Sequence, residues 1–235
     1  MDVIVPFTAR DPKSRLAPVL SVAERREFAF EMLRDVVTAI EAAGHEPELL
    51  VPRPLDVTAS PLETETVSET TERAGGAAEK PLADRSTTVD DRPLTPAVNG
   101  VLSRLADGDA AAVAIVMADL ALATPTALHR LFGAGGDVAI APGRGGGTNA
   151  LVVRDPGFAV DYHGTSYRDH RRAAADAALS VGVVDSMRLA TDVDEPGDLV
   201  EVLLHTDGRS AAWLRDAGFE VDDSESRVGV RRADE

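Results

Sequence analysis

"AAVAIVMADL", residues Ala111 to Leu120, decides the architecture. From Ala111 to Met117 the run holds no polar residue. A strand with one wet face alternates apolar and polar residues, so an unbroken apolar run this short belongs to a strand covered on both faces. It ends at Asp119, which puts a carboxylate where a buried strand stops. Outward from this run, strand-like and helix-like stretches alternate along the chain, which argues for an α/β three-layer sandwich around a mostly parallel sheet. In such sheets ligands bind beyond the carboxyl ends of the strands.

"VIVPF" (Val3 to Phe7) reads as the first strand and "PELLV" (Pro47 to Val51) as another. Between them Ser21 and Glu24 form a capping box, and Phe28, Met32, Val36 and Ile40 recur at helical spacing until Gly44. Thr95-Pro96 and Thr124-Pro125 each read as a helix start, with the threonine as cap. "DVAIA" and "ALVV" are strands flanking a glycine loop, Ser166 to Leu179 a helix, and "VGVVDS" a strand. The sequence "LATDVDEPGDLVEVLLH" sets two aspartates before a proline-started helix. The stretch from Pro52 to Arg92 is polar and weakly periodic, with an edge strand expected near Thr64 to Val67. These patterns divide the chain into one domain, residues 1–218, and a charged, frayed tail, 219–235.

The chain has 235 residues and a net charge of −16, and of its 24 basic residues only Lys13 and Lys80 are lysine. Acid-rich, lysine-poor surfaces suit strong salt, where the Debye length falls to about 3 Å at 1 M. This reads as adaptation to a halophilic cytoplasm, with an acidic partner-binding surface or simply a solubilised bacterial protein as the alternatives. Nonspecific binding to nucleic acid is disfavoured, and an anionic substrate needs a local cluster of positive charge or metal. Cysteine is absent, so disulfides and thiolate metal sites are excluded. No apolar run is long enough for a membrane span, and no signal-peptide pattern opens the chain, so a cytoplasmic location is expected.

Four places fall at expected carboxyl ends of strands. Arg10, Lys13 and Arg15 form a basic knot after the first strand, read as a phosphate-binding group or as a solvated loop. Asp192 and Asp194 alternate, so extended backbone sends both carboxylates to one side. With Asp119 they make an oxygen-only donor set matching a hard cation such as Mg²⁺ (or Mn²⁺); the competing reading has Asp194 capping the next helix and Asp192 facing water. In "GRGGGTN", Gly146 and Gly147 expose backbone N–H groups able to grip an anion, and Thr148 and Asn149 add a hydroxyl and an amide; the alternative is a mobile loop. Among the histidines only His163, in "YHGTS", stands beside a candidate substrate position. No G-x-S-x-G elbow, Walker loop or G-x-G-x-x-G fingerprint occurs.

Taken in order, "KSRLAPVLSVAERREFAFEMLRDV", "ADL" with "LATP", "APGRGGGTNAL" and "TDVDEPGDL" resemble the 2-phospho-L-lactate guanylyltransferases. That family includes the phosphoenolpyruvate and 3-phospho-D-glycerate guanylyltransferases of coenzyme F420 biosynthesis. The match runs from Val3 to about Leu204. The resemblance implies a Rossmann-like nucleotidyltransferase fold of glycosyltransferase-A type, a homodimer, and transfer of GMP from GTP to a small phospho acid with Mg²⁺. It puts the metal on Asp119, Asp192 and Asp194, the nucleotide on Arg10, Lys13 and Arg15, and the acid on the Thr148 region with Gly164 and Ser166. Lys13 and Arg15 take the catalytic role of stabilising departing pyrophosphate. A molybdopterin guanylyltransferase-like enzyme, a glycosyltransferase with the same sheet, or a non-catalytic nucleotide binder remain alternatives. If lysine scarcity marks function, Lys13→Ala weakens GTP use in a pyrophosphate-release assay while Lys80→Ala does little; equal effects refute that reading.

Overall fold

The computed structural model describes residues 1–55, 80–224 and 228–233. A seven-stranded sheet is built from β1 (Asp2–Pro6), β2 (Pro47–Val51), β3 (Thr87–Val89), β4 (Val113–Val116), β5 (Val138–Pro142), β6 (Thr148–Val153) and β7 (Val181–Val183). Their order is β3-β2-β1-β4-β6-β5-β7. All neighbours are parallel except β6, which runs antiparallel to both β4 and β5. The expected strand near Thr64 to Val67 lies outside the described residues.

The apolar run that ends before Asp119 forms β4, the central strand of the sheet, and its alternate side chains serve two cores. Ala114 and Val116 join the larger core, with Phe28, Met32, Val36 and Leu128. Val113 and Ile115 face the other way, against Val98, Val101 and Phe158. The first core is roofed by α1 (Val22–Ala42), α3 (Pro125–Phe132) and α7 (Arg209–Asp216); the second by α2 (Leu94–Asp107) and α4 (Ser166–Asp176). A strand with helices on both faces has no wet side, so every β4 residue is buried.

Local side chains cap the starts of two helices, α1 and α3. In α1 Ser21 Oγ accepts from Glu24 N at 3.3 Å while Glu24 Oε2 accepts from Ser21 N at 2.8 Å. Phe28, Met32, Val36 and Ile40 are all fully buried along one face of that helix. Thr124 caps α3 by accepting from Ala127 N. Thr95, by contrast, is not a cap: α2 begins at Leu94 after Pro93, and Thr95 Oγ1 accepts from Tyr162 N at 2.9 Å. The proline at 196 opens a 3-10 turn, Pro196–Asp198, and α6 (Leu199–His205) follows.

The end of the chain departs from the frayed tail expected of it. Strands β8 (Phe219–Asp222) and β9 (Gly229–Arg232) pair antiparallel. The charge count concealed an alternation in which Phe219 is buried, 3% exposed, while Glu220 faces out. Arg232 reaches back to Glu24 Oε1 at 2.6 Å and lies over the Phe219 ring, so the hairpin is fastened to the start of α1.

Helix α7 is docked by a side chain distant in sequence. Asp35, on α1, accepts from Arg209 N at 2.7 Å, Ser210 N at 2.9 Å and Ser210 Oγ at 2.5 Å. These bonds satisfy N–H groups that a helix start leaves without partners. Asp35→Ala is therefore expected to lower unfolding stability by about 1–3 kcal/mol in denaturant titration at high KCl, and Asp35→Asn by less.

Candidate active site

Strand β1 delivers the chain into the segment Thr8 to Leu20, where Asp11 and Lys13 have positive φ of 42° and 54°. Left-handed backbone is unfavourable for residues with a Cβ, so something must hold it there. Leu16, fully buried, anchors the 3-10 turn Ser14–Leu16, and Leu16 N donates to Lys13 O at 2.9 Å. The bent loop throws Lys13 inward. Its Nζ lies 2.6 Å from Asp119 Oδ2 and 2.6 Å from Asp194 Oδ1, with the lysine side chain only 11% exposed. Burial alone would lower the ammonium pKa; the charges and hydrogen bonds of Asp119 and Asp194 outweigh it and hold the pKa above the ordinary lysine value.

Asp119 stands just beyond β4, and Val193 N donates to its carbonyl at 3.2 Å. That bond lays the segment Thr191–Asp194 beside it, with Val193 buried and the two flanking aspartates on the site. Asp194 does not cap the following helix. Glu195 is the cap residue, and Asp198 reaches back to it in a capping box, its Oδ2 accepting from Asp194 N and Glu195 N at 3.1 and 2.8 Å. Nor does Asp192 face water: its Oδ1 accepts from Asn149 Nδ2 at 3.1 Å. Burial, and then the negative charge of Asp119, raise the Asp192 pKa, against the opposing bond from Asn149. The three carboxylates thus feel one another at one rim.

Among the described residues no three acidic or histidine side chains form a ready-made cation cage, and Lys13 stands between two of the carboxylates. The donor chemistry nevertheless fits a hard divalent cation. Its ligands would all be oxygen, and Asp119 Oδ1 is buried with no hydrogen-bond partner, an orphan that a cation satisfies. A cleft of about 280 Å³ opens here between Phe7, Lys13, Met32, Met117, Asp119 and Asp194. Arg15 sits at its margin, 67% exposed, 3.5 Å from Glu195 and 3.9 Å from Asp194. Arg10 is exposed on the same loop. Lys80 lies elsewhere, in a cleft with Met1, Glu41 and Arg85.

The glycine loop has a different task from the one its composition suggests. It is the turn between β5 and β6: Gly143 N donates to Gly147 O and Gly146 N to Gly143 O, at 2.9 and 3.1 Å. Gly146 is therefore not an open anion donor, and its carbonyl accepts from Tyr167 N, docking α4. A Cβ on Gly143 would lie 2.4 Å from Asn149 Oδ1. Bare backbone there lets the Asn149 amide fold in, where Nδ2 bonds Leu189 O and Asp192. Asn149 is thus a positioning residue, its amide already engaged.

Thr148 begins β6, and its N–H donates to Ser166 Oγ at 2.9 Å. Its hydroxyl meets His170 Nδ1 at 2.9 Å. Because His170 Nε2 accepts from Asp161 N at 2.9 Å, the ring is the neutral tautomer with its proton on Nδ1, donating to Thr148 and leaving the threonine O–H to point away. Burial pushes the fully buried His170 down to about 4. His163, the histidine favoured on sequence, is exposed and paired with Asp161. Gly164, with φ of 48°, lies exposed on the same loop. His170 follows Ser166 by one helical turn, the i,i+4 spacing that could have revealed it.

The doubly covered, mostly parallel sheet, with acidic residues and a lysine gathered beyond β1 and β4, has the fold of nucleotidyltransferase-type α/β proteins. A structure from Desulfovibrio desulfuricans described as a nucleotide-diphospho-sugar transferase has this fold, with a TM-score of 0.65, 15% identity and coverage of 92% of this chain and 95% of that one. So has a nucleotidyl transferase from Methanothermobacter, with a TM-score of 0.53, 12% identity and coverage of 92% and 98%. The family described as guanylyl transferase, CofC-like, matches residues 1–85 and 77–234, and the chain belongs to it. The 2-phospho-L-lactate guanylyltransferase of Natronomonas pharaonis is 53% identical over 99% of both chains. That of Haloferax volcanii is 54% identical over 99% of this chain and 98% of its own. Both relatives are haloarchaeal, in keeping with the acid excess.

The neutral His170 has a consequence for acid stability. Its folded pKa lies below the unfolded value, so on acidification between pH 6.5 and about 4 the unfolded chain takes up a proton that the native ring refuses. Stability present above pH 6.5 falls across that window, by a contribution on the order of 2–3 kcal/mol. In His170→Gln this part of the loss disappears. The check is denaturant unfolding of both proteins at pH 7 and pH 4.5, with an unchanged acid loss as the contrary result.

Proposed function

We propose that the chain transfers GMP from GTP to the phosphate of 2-phospho-L-lactate, giving lactyl-2-diphospho-5'-guanosine and pyrophosphate, as a step toward coenzyme F420. The observation that carries this reading is full-length identity of about half to relatives with that named activity, joined to a charged rim where three carboxylates and a buried ammonium meet.

The reaction needs positioning and charge compensation more than proton transfer. The acceptor phosphate is already largely dianionic near pH 7, so no base has to deprotonate it. One of its oxygens attacks the α-phosphorus of GTP, a P–O bond forms, and the bond to the β-phosphate breaks with both electrons leaving on pyrophosphate. Lys13 offers a point charge on a short tether, aimed by its left-handed backbone, to offset that departing charge; Arg15 sits outside it at the cleft margin. Thr148, its hydroxyl proton turned outward by His170, and the amides at Gly164 and Ser166 form the acid side. Asn149 keeps the Asp192 carboxylate in a fixed rotamer between the two sides. Asp119, Asp192 and Asp194 would hold Mg²⁺ or Mn²⁺, which when bound neutralises the two mutually repelling anions. Assembly as a homodimer and a cytoplasmic location accompany this reading. No described helix is long and apolar enough to cross a membrane.

The test is pyrophosphate release from GTP, Mg²⁺ and 2-phospholactate at high KCl. Turnover is expected with wild type and lost by at least about a hundredfold in Asp192→Asn, since removal of one oxyanion-stabilising or metal-holding group costs that order. The melting temperature of the variant should stay level or rise, because the substitution removes a charge held against Asp119. Silence of folded wild type with 2-phospholactate, phosphoenolpyruvate and 3-phosphoglycerate alike overturns the proposal.

A further inference from the structure

The catalytic cleft continues into a second one. Pro6, Phe7, Thr8 and Met117 line both the space around Lys13 and a neighbouring cleft of about 370 Å³ that runs across the ends of β1 and β2. That size lies within the range of small-molecule sites. Leu50, Leu94 and Ala97 give the second cleft apolar walls, and Asp90 and Arg92 supply its charged side chains. A nucleotide with its phosphates at Lys13 would lay its base in this slot, flat against apolar surface, with its edge toward the charged pair.

Counting donors and acceptors decides which of the two reads that edge. Asp90 Oδ1 accepts from Arg92 N at 3.0 Å and from Nε at 2.9 Å; Oδ2 accepts from Nε at 3.1 Å and from one terminal nitrogen at 2.5 Å. These four contacts come from three N–H groups, the Nε–H being shared by both oxygens, so a carboxylate with about four lone-pair sites keeps at most one for a ligand. Arg92 has five N–H groups and gives two of them to Asp90, leaving three donors on a side chain that is 52% exposed. Its position is also fixed from behind. A Cβ on Gly100 of α2 would lie 2.3 Å from an Arg92 terminal nitrogen and 3.4 Å from its Cζ, so one tip of the guanidinium rests against bare helix backbone.

We infer that Arg92, held by Asp90 and Gly100, selects guanine by donating to its O6 and N7 edge. Guanine presents two acceptors there, whereas adenine places an amino group opposite the guanidinium, donor against donor. The inference rests on the proposed use of GTP and names the residue that enforces it.

The experiment reads base binding apart from chemistry, by displacement of a fluorescent guanosine diphosphate analogue with GTP, ITP, 7-deaza-GTP and ATP. Pyrophosphate release is measured in parallel. ITP, which keeps O6 and N7 but lacks the 2-amino group, should bind within a few-fold of GTP. Loss of N7 in 7-deaza-GTP should weaken binding, and ATP should be weaker than GTP by roughly 5- to 150-fold, the range for one good bidentate contact. Arg92→Ala should bring GTP down toward ATP, with Arg92→Lys between them, while the melting temperature of both variants confirms folding. A folded Arg92→Ala that keeps the wild-type GTP-to-ATP ratio overturns the inference, and so does ITP binding as poorly as ATP. If wild type binds GTP in this pattern yet turns over none of the acids, the catalytic reading fails and the base-reading assignment stands.

Discussion

One ammonium group organises the rim of this molecule. Lys13 Nζ sits 2.6 Å from a carboxylate beyond β4 and 2.6 Å from another on the segment after α5 (Met187–Ala190). Without it, Asp119, Asp192 and Asp194 would face one another across a part-buried space, and like charges at close range in low dielectric repel strongly. A buried ion pair of this kind is weak evidence for stability, because desolvation offsets much of the attraction. Its value lies in geometry: it ties the loop after β1 to two elements more than a hundred residues away in sequence, with Lys13 at φ 54° held in place by the paired acids.

Much of the frame was legible in the residues because two-sided burial leaves an unmistakable trace. The unbroken run before Asp119, the Ser21–Glu24 capping box and the Thr124-Pro125 start each state their structure locally, and each is found. The convergence of Asp119, Asp192 and Asp194 followed from one rule about strand ends together with a resemblance. What was not legible depends on partners far along the chain. Thr95 looks like a cap until Tyr162 N claims its hydroxyl, and Phe219 sits in a charged stretch until Arg232 covers it.

The glycine loop is the clearest case of a right address with the wrong errand. Two of its backbone bonds close the turn on itself, and two others tie it to Ala190 and Tyr167. The exposed-backbone reading treated each glycine as a donor, whereas the side chain that needed room was Asn149. His170 was missed for a related reason: a histidine inside an arginine-rich helix reads as surface, and only its burial beneath Tyr162 and Phe158 changes that. Both side chains are engaged with other residues of the protein, Asn149 with Asp192 and His170 with Thr148, and partnerships of that kind leave little mark on composition or spacing.

The reversed direction of β6 has an evolutionary corollary. A parallel strand would offer its final residues to the rim and continue into a connecting loop of arbitrary length. By running backwards, β6 offers its first two residues, Thr148 and Asn149, and both are rungs of the sheet or their immediate neighbours on the ladder. Under the proposed function, the wall that would face the acid is thus part of the framework rather than a flap that folds over it. Descendants of such a protein that come to prefer a different three-carbon acid would be expected to change bulk at this wall, residue for residue, and to leave hinge and loop lengths alone.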